Sequence, residues 1–567
     1  MTAQSEVSSL PPSLDFLEAK LGLKVTYCLA LLENVPGGLI VSRYIKSSYK
    51  DDPLRSLFEF ALFIFAVHYF LSSKKKENKA EIVTFSQKEI DELIDEWDPA
   101  PLVDPVSDLE HWQLKEYHVK GENSSHVELV GHPELSKVVN MSSLDFLDLN
   151  CSTRLKKAAK DAISNSGVGA CGPPNFYGSQ DVHVRLEEDL SRYLQTEQAI
   201  LYGQDFVTAG SVIPAFLKRG DLAVVDSGIN VAIQKALIVS RCDIEWYDHN
   251  DVEHLEQILS ELDPILNKQK PLRRRFIISE GIFAYSGDVV KLPEIVELKN
   301  KYKYRLFLDE TLSIGTLGSS GRGAPEHFGI SRSEISITIG SLATSFASSG
   351  GFCVGVKPMV HHQRINSTAY VFSASLPPYS AKVASEAIKV ITGNTDSQGN
   401  SIVMHSLNEK IRFCHKELTK AFSKSKYFEV VSDGNGPIAH LGLKANYRAR
   451  LGLPELYGNG TLLTTGKPFR KLNAFSTHYN LECYLLQKII DVFLRQHRIL
   501  INRTRLVYEQ ENLPVQGPHL WVHANNGLSM EELKRAVTSL PHTVDEVCRR
   551  LQTPSDLLKL EEELKTQ

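Results

Sequence analysis

Seven short apolar runs in the middle of the chain restrict its fold more than any other feature of the 567 residues. They are AILYG (199–203), LAVVDS (222–227), CDIEWY (242–247), RFIISEG (275–281), RLFLDE (305–310), SITIGS (336–341) and FCVGV (352–356). Runs of Val, Ile, Leu and Phe that barely alternate with polar residues belong to strands buried on both faces. Strands that recur with helical segments between them predict a mostly parallel sheet covered by helices, an α/β domain over 149–385. On such sheets ligands sit at the carboxyl ends of the strands. Those ends carry Asp205, Asp226, Glu280, Asp309 and the small-residue turn 341–349. From 386 to 567 long amphipathic helices (380–392, 404–423, 482–497) mix with a few strands, which predicts a smaller α+β domain.

Composition narrows the partners. The formal net charge of −5 and pI near 6.5 give no basic surface for nucleic acid, leaving small molecules, proteins or lipid. Eight scattered cysteines show no metal-ligand spacing, and a chain this long builds a core without disulfides, so the thiols are read as reduced and cytosol-facing. One stretch, SLFEFALFIFAVHYFL (56–71), is apolar enough to suggest a transmembrane helix over 56–72, closed by Lys74, Lys75 and Lys76. As a helix it spans about 24 Å against the ~30 Å of a hydrocarbon core. The 1–55 segment is then interfacial or lumenal, with the patch 25–32 at the membrane surface. A linker and acidic, proline-punctuated arm follows over 73–148, with IDEWDPAPLVDP at 94–105.

The stretches GVGACGPPNFYGSQDVHVRLEEDL, EGIFAYSGDVVKLPEIVELKNKYKYRLFLDETLSIGTLGSSGRG and FSASLPP together resemble the α-oxoamine synthases. The likeness runs in order from about 110 to 550 and is nearest to the serine palmitoyltransferases. It implies the aspartate-aminotransferase-like (type I) fold of pyridoxal-phosphate transferases. It also implies the condensation of serine with palmitoyl-CoA to 3-ketosphinganine, the first step of sphingolipid synthesis. A working site of that kind needs a lysine to form the Schiff base with pyridoxal phosphate and an acid on the ring nitrogen. The resemblance puts the lysine position at Thr344 and the acid at Asp309. Two histidine positions of the family fall on Leu312 and Asn230, and the carboxylate-gripping arginine falls near Trp521. Threonine has no amine, leucine forms no hydrogen bond, and tryptophan cannot pair a carboxylate. The chain is therefore expected to bind no cofactor of its own and to catalyse nothing alone.

The resemblance also implies a site shared across a dimer interface. Cys171 and Tyr177, in the glycine-rich loop 167–178, and Ser373 and Ser375, in YVFSASLPP, are the residues expected to complete the site of a homologous, lysine-bearing subunit 2. Plain dimer packing is the structural alternative for each. Asp309, His183 and the glycines at 315, 318, 321 and 323 equally suit capping and turn roles. A small activating subunit and Orm-type regulators are implied by resemblance alone, as is an endoplasmic reticulum membrane location with a cytosolic body. A non-enzymatic membrane scaffold or regulator on a degenerate transferase fold is the other functional class left open.

Overall fold

The computed structural model describes residues 30–77 (32 and 35 apart), 85–97, 102, 111–114, 116–457 (394 and 398 apart), 477–505 and 516–565. The patch 25–32 and the arm 94–105 lie mostly outside them. The chain divides into two compact units, 1–104 and 105–567.

Among its described residues the first unit has the helices Gly38–Asp51, Pro53–Glu77 and Gln87–Glu96. The second of these covers the segment expected to span a membrane, and here the expectation is corrected. Among the described residues no helix is long and apolar enough to cross one. The helix has 25 residues, but Arg55, Glu59 and His68 interrupt the apolar stretch and lysines close it, so any window long enough to span takes in polar groups. Arg55 and Glu59 pair at 3.0 Å on its exposed surface. The lumenal placement of 1–55 rested on that span and loses its support.

In the second unit all seven apolar runs form one sheet. The strands are β1 (Gln198–Tyr202), β2 (Leu222–Asp226), β3 (Asp243–Tyr247), β4 (Arg275–Glu280), β5 (Arg305–Asp309), β6 (Ile337–Ser341) and β7 (Gly351–Gly355), in the order 1-7-6-5-4-2-3. Strands β2 to β6 pair in parallel, while β7 runs antiparallel to both β1 and β6. A short turn rather than a helix joins β6 to β7, which fixes that reversal.

Packing explains the unbroken apolar runs. Ala223, Val225, Phe276, Ile278 and Phe307 point to one face, against Ile233 and Leu237 of helix Val231–Ser240. Their neighbours Leu222, Val224, Ile277, Leu306 and Leu308 point to the other, against Leu255, Leu259, Ile295 and Leu298. Both faces are dry, so neither half of the alternation can be polar.

Two four-stranded sheets lie outside this core. One joins Phe428–Val430, Ile438–Leu443, Leu520–His523 and Asn502–Arg503. The other revises the expected linker. Residues 116–148 are part of the body, with strands Val119–Lys120, His126–Leu129 and Val138–Asn140 extended by Ile499–Leu500 pairing in parallel to the last. The three long helices form as Pro378–Gly393, Ile402–Phe422 and Thr477–His497.

Candidate functional site

Thr344 sits in the turn between β6 and β7, buried, and its hydroxyl donates to the Thr311 carbonyl at 3.2 Å. Beneath it β4 and β5 end side by side, with Glu280 opposite Asp309 in the register. Asn230 caps helix Val231–Ser240: its side-chain oxygen accepts the Ala232 and Ile233 amides at 3.0 and 3.2 Å. Its NH2 group donates to Asp309 Oδ2 at 2.9 Å, while Asp309 Oδ1 accepts the Thr311 amide at 2.9 Å. Glu280 accepts the backbone amides of Asn230 and Ala284. The sequence thus brings Thr344, Asp309 and Asn230 together around Thr311. Leu312, beside them, packs half-buried against the apolar core.

The electrostatics are those of a buried carboxyl cluster. Burial raises Asp309, and hydrogen bonds from Thr311 and Asn230 pull the other way. Burial, then Asp309, pushes Glu280 well up. Asp205, in the first turn of helix Asp205–Phe216, is pushed up to about 6 by burial, with Asp309 adding to it and the hydrogen bond with the Ser341 hydroxyl opposing it. Burial, then Glu280, pushes the Tyr285 hydroxyl up to about 12, and that hydroxyl accepts the Val231 amide. This set does not fit a Schiff-base cofactor. No amine stands at 344, and Asp309 is occupied by an amide side chain. The helix end that could hold a phosphate carries a carboxyl instead.

Trp521 lies on strand Leu520–His523. It is opposite His440 in the register with ring centroids 5.2 Å apart, and its indole N–H has no partner.

His183 is satisfied twice over. Nδ1 accepts the Gln180 amide at 2.9 Å, so Nε2 carries the proton and donates to the Leu376 carbonyl at 2.6 Å. The glycines at 315, 318, 321 and 323 all adopt positive φ in the turn after β5. A Cβ at Gly323 would fall 1.9 Å from a Glu310 oxygen.

The two expected interface segments meet. The Ser375 amide donates to the Gly172 carbonyl at 2.9 Å, and Asn175 donates to the Arg364 carbonyl at 2.8 Å. Cys171 and Tyr177 both hold positive φ, at 56° and 66°. Gly178 lets the loop close, since a Cβ there would come within 1.9 Å of the Gly172 oxygen. Tyr177 is fully exposed, Cys171 and Ser373 are exposed, and Phe176, Phe372 and Val168 add apolar surface. The Ser375 hydroxyl is buried without a partner.

Sequence reasoning passed over a buried network at the end of β2. His249 lies between Asp226, 2.8 Å from Nδ1, and Asp288, 3.1 Å from Nε2. Burial lowers the imidazole, but the two carboxylates outweigh it and hold it charged, at about 10. Asp288 falls to about 2 because His249 overcomes its own burial. The segments YDHND and YSGD carried this signal, since a histidine and aspartates follow β3 and β4, the two strands that flank β2.

Comparison with known proteins agrees with this architecture. Residues 136–470 match the family model described as aminotransferase class I and II. Serine palmitoyltransferase 1 of Saccharomyces cerevisiae is 40% identical over 537 residues, covering 92% of this chain and 94% of that protein. Long chain base biosynthesis protein 1 of Arabidopsis thaliana is 34% identical, covering 83% and 88%. Among solved structures, a Sphingomonas wittichii serine palmitoyltransferase superposes with a TM-score of 0.60 at 17% identity, covering 82% of this chain and 99% of that one. The chain belongs to the α-oxoamine synthase family, among the proteins named serine palmitoyltransferase 1 and long chain base biosynthesis protein 1.

Proposed function

We propose that this chain is the non-cofactor-binding subunit of a serine palmitoyltransferase. In this reading it pairs with a lysine-bearing subunit 2 that holds pyridoxal phosphate and condenses L-serine with palmitoyl-CoA. One observation carries the proposal: at the Schiff-base position stands a buried threonine, its hydroxyl turned to a backbone carbonyl. The exposed loop carrying Cys171 and Tyr177, braced against Ser375, is then the segment that reaches the partner's pocket, with Ser373 toward the cofactor phosphate.

The test is cofactor stoichiometry. The purified chain alone should show no visible cofactor absorbance, and the pair about one cofactor. Thr344→Ala should leave turnover of the pair within about twofold. A chain that binds the cofactor alone and forms product would refute the reading.

Lending is tested separately. Tyr177→Ala and Ser373→Ala should each lower kcat/KM of the pair by roughly 10-fold or more, the usual loss for a positioning contact. Association should be unchanged. Full turnover in both variants would leave these segments as packing only, and would favour the scaffold reading.

For location we propose the endoplasmic reticulum membrane with the body in the cytosol, where acyl-CoA is available and the lipid product has a bilayer to enter. Helix Pro53–Glu77 supports contact with lipid, since Phe58, Phe60, Phe63, Phe65 and Phe70 are exposed around it. A small activating subunit and Orm-type regulators complete the proposed assembly.

A further inference from the structure

Between Ser375 and helix Asp181–Tyr193 lies a small polar crevice of about 20 Å³, with Glu187, Tyr370 and Ser375 on its wall. The Ser375 hydroxyl is buried and bonds to no protein atom. Its backbone is fixed on both sides. The Ser375 amide donates to the Gly172 carbonyl at 2.9 Å, and the Ala374 carbonyl oxygen lies where a Cβ on Gly203 would come within 2.7 Å of it. The hydroxyl therefore stays in the crevice, and a buried hydroxyl without a partner is costly.

The other polar groups on the wall are only partly used. Glu187, its side chain 18% exposed, accepts an Arg364 N–H at 2.7 Å and the Leu201 amide. A carboxylate offers about four acceptor positions, so room for another donor remains. The Tyr370 oxygen accepts from Arg364 and bonds with the Ser179 hydroxyl. A phenol hydroxyl makes up to about three bonds, which leaves one. His183, also on the wall, has both ring nitrogens bonded and offers nothing further.

Size and charge name the occupant. A water site needs roughly 10–15 Å³ and two to four polar partners, and this crevice supplies both. Arg364 already neutralises Glu187, so no net charge calls for a cation. The surroundings give the site a consequence. Arg364, which bonds Glu187 and Tyr370, also accepts Asn175 of the loop 167–178 on its carbonyl at 2.8 Å. A water joining Ser375 to Glu187 and Tyr370 closes a ring that holds this loop at both Gly172 and Asn175.

We propose that the crevice binds one ordered water, held by Ser375, Tyr370 and Glu187. Through it Ser375 is a positioning residue for the loop carrying Cys171 and Tyr177, and is not itself offered to a partner. The water and the bracing belong to this chain alone. Only their effect on turnover rests on the subunit reading above.

The test has two arms. A crystal structure of the native chain, at a resolution that orders solvent, should show a water at about 2.8 Å from Ser375 Oγ. A dry crevice, or a Ser375 hydroxyl bonded to protein, overturns the proposal. The second arm compares Ser375→Thr with Ser375→Val, two side chains of one shape that differ in the hydroxyl. Hydrogen exchange of 167–178 in the full chain should be roughly 10-fold faster in the valine variant, with the threonine variant within about threefold of native. Equal exchange in the two variants overturns the bracing. In the heterodimer the valine variant should lower kcat/KM and the threonine variant should restore it. A loosened loop with unchanged turnover keeps the water site and overturns the lending of the loop to subunit 2.

Discussion

Replacing Arg332 by methionine is expected to destabilise the body by about 3–5 kcal/mol, the cost of leaving a buried charge without its partner. The Arg332 side chain is almost wholly buried and that of Glu310 wholly so, and their ion pair measures 2.6 Å. Arg332 also donates to the Arg322 carbonyl and, at 3.3 Å, to the Thr338 hydroxyl. Glu310 Oε2 accepts the Ser313 hydroxyl at 3.0 Å and the Ala324 amide at 2.8 Å. One carboxylate thus ties the end of β5 to the whole turn 311–324 and to the segment before β6. That turn supplies the Thr311 carbonyl on which Thr344 rests, so loosening it should disturb the pocket as well as the core.

Methionine fills much of the arginine's volume without a cation, so the expected loss is electrostatic rather than a cavity. The measurement is the urea midpoint of Arg332→Met, of Glu310→Gln and of the double variant. The double variant should lose clearly less than the two single losses added together, because it leaves neither a buried carboxylate nor a buried guanidinium without its partner. Additive losses would mean that the pair contributes little beyond the local hydrogen bonds.

The central sheet was legible because its signal is local. Each strand is five or six residues, all but the edge strand β3 are apolar on both faces, and the ends fell within a residue or two of the apolar runs. The Thr344, Asp309 and Asn230 cluster was legible only through resemblance, since no spacing rule connects positions 230, 309 and 344. What could not be read were the long-range pairings. Val139 meets Ile499 in a parallel bridge across most of the chain, and two-residue strands carry no periodicity of their own. The membrane span failed for a different reason. The run 56–71 is apolar in composition, but Glu59 and His68 lie within it. A span is set by continuous length, and polar residues bracket that stretch.

Acidification should weaken the body through histidines that the fold holds neutral. His440, His519 and His523 lie on or beside the paired strands Ile438–Leu443 and Leu520–His523. Neither ring nitrogen of His440 has a partner, nor do His519 Nδ1 and His523 Nε2. The other nitrogen of His523 bonds the Ser143 carbonyl at 2.9 Å, and His519 bonds the Tyr285 carbonyl. Burial holds His519 and His523 down at about 4 and His440 well below its usual value. In the unfolded chain these groups take up protons below about 6.5.

Their contribution is therefore complete above pH 6.5 and is lost as pH falls toward 4. The slope is about 1.4 kcal/mol per pH unit for each histidine. Between pH 7.5 and 4.5 the pair His519 and His523 should remove roughly 5 kcal/mol. Carboxyls work against this trend: Asp205 and Asp145, both pushed up to about 6 by burial, bind protons more readily in the folded state and so gain from acid. The raw pH curve mixes both signs, and the difference between variants isolates the histidines. His519→Gln with His523→Gln should be less stable than the native chain at pH 7.5, yet lose at least 2 kcal/mol less on going to pH 4.5. Equal losses in both proteins would show that these imidazoles find partners in solution. Because His519 bonds the loop that brings the Tyr285 hydroxyl to the Val231 amide, the acid-induced change should reach the Asn230 end of the pocket early. Tyr285→Phe, which keeps the loop and removes only the hydroxyl, should leave this pH difference unchanged.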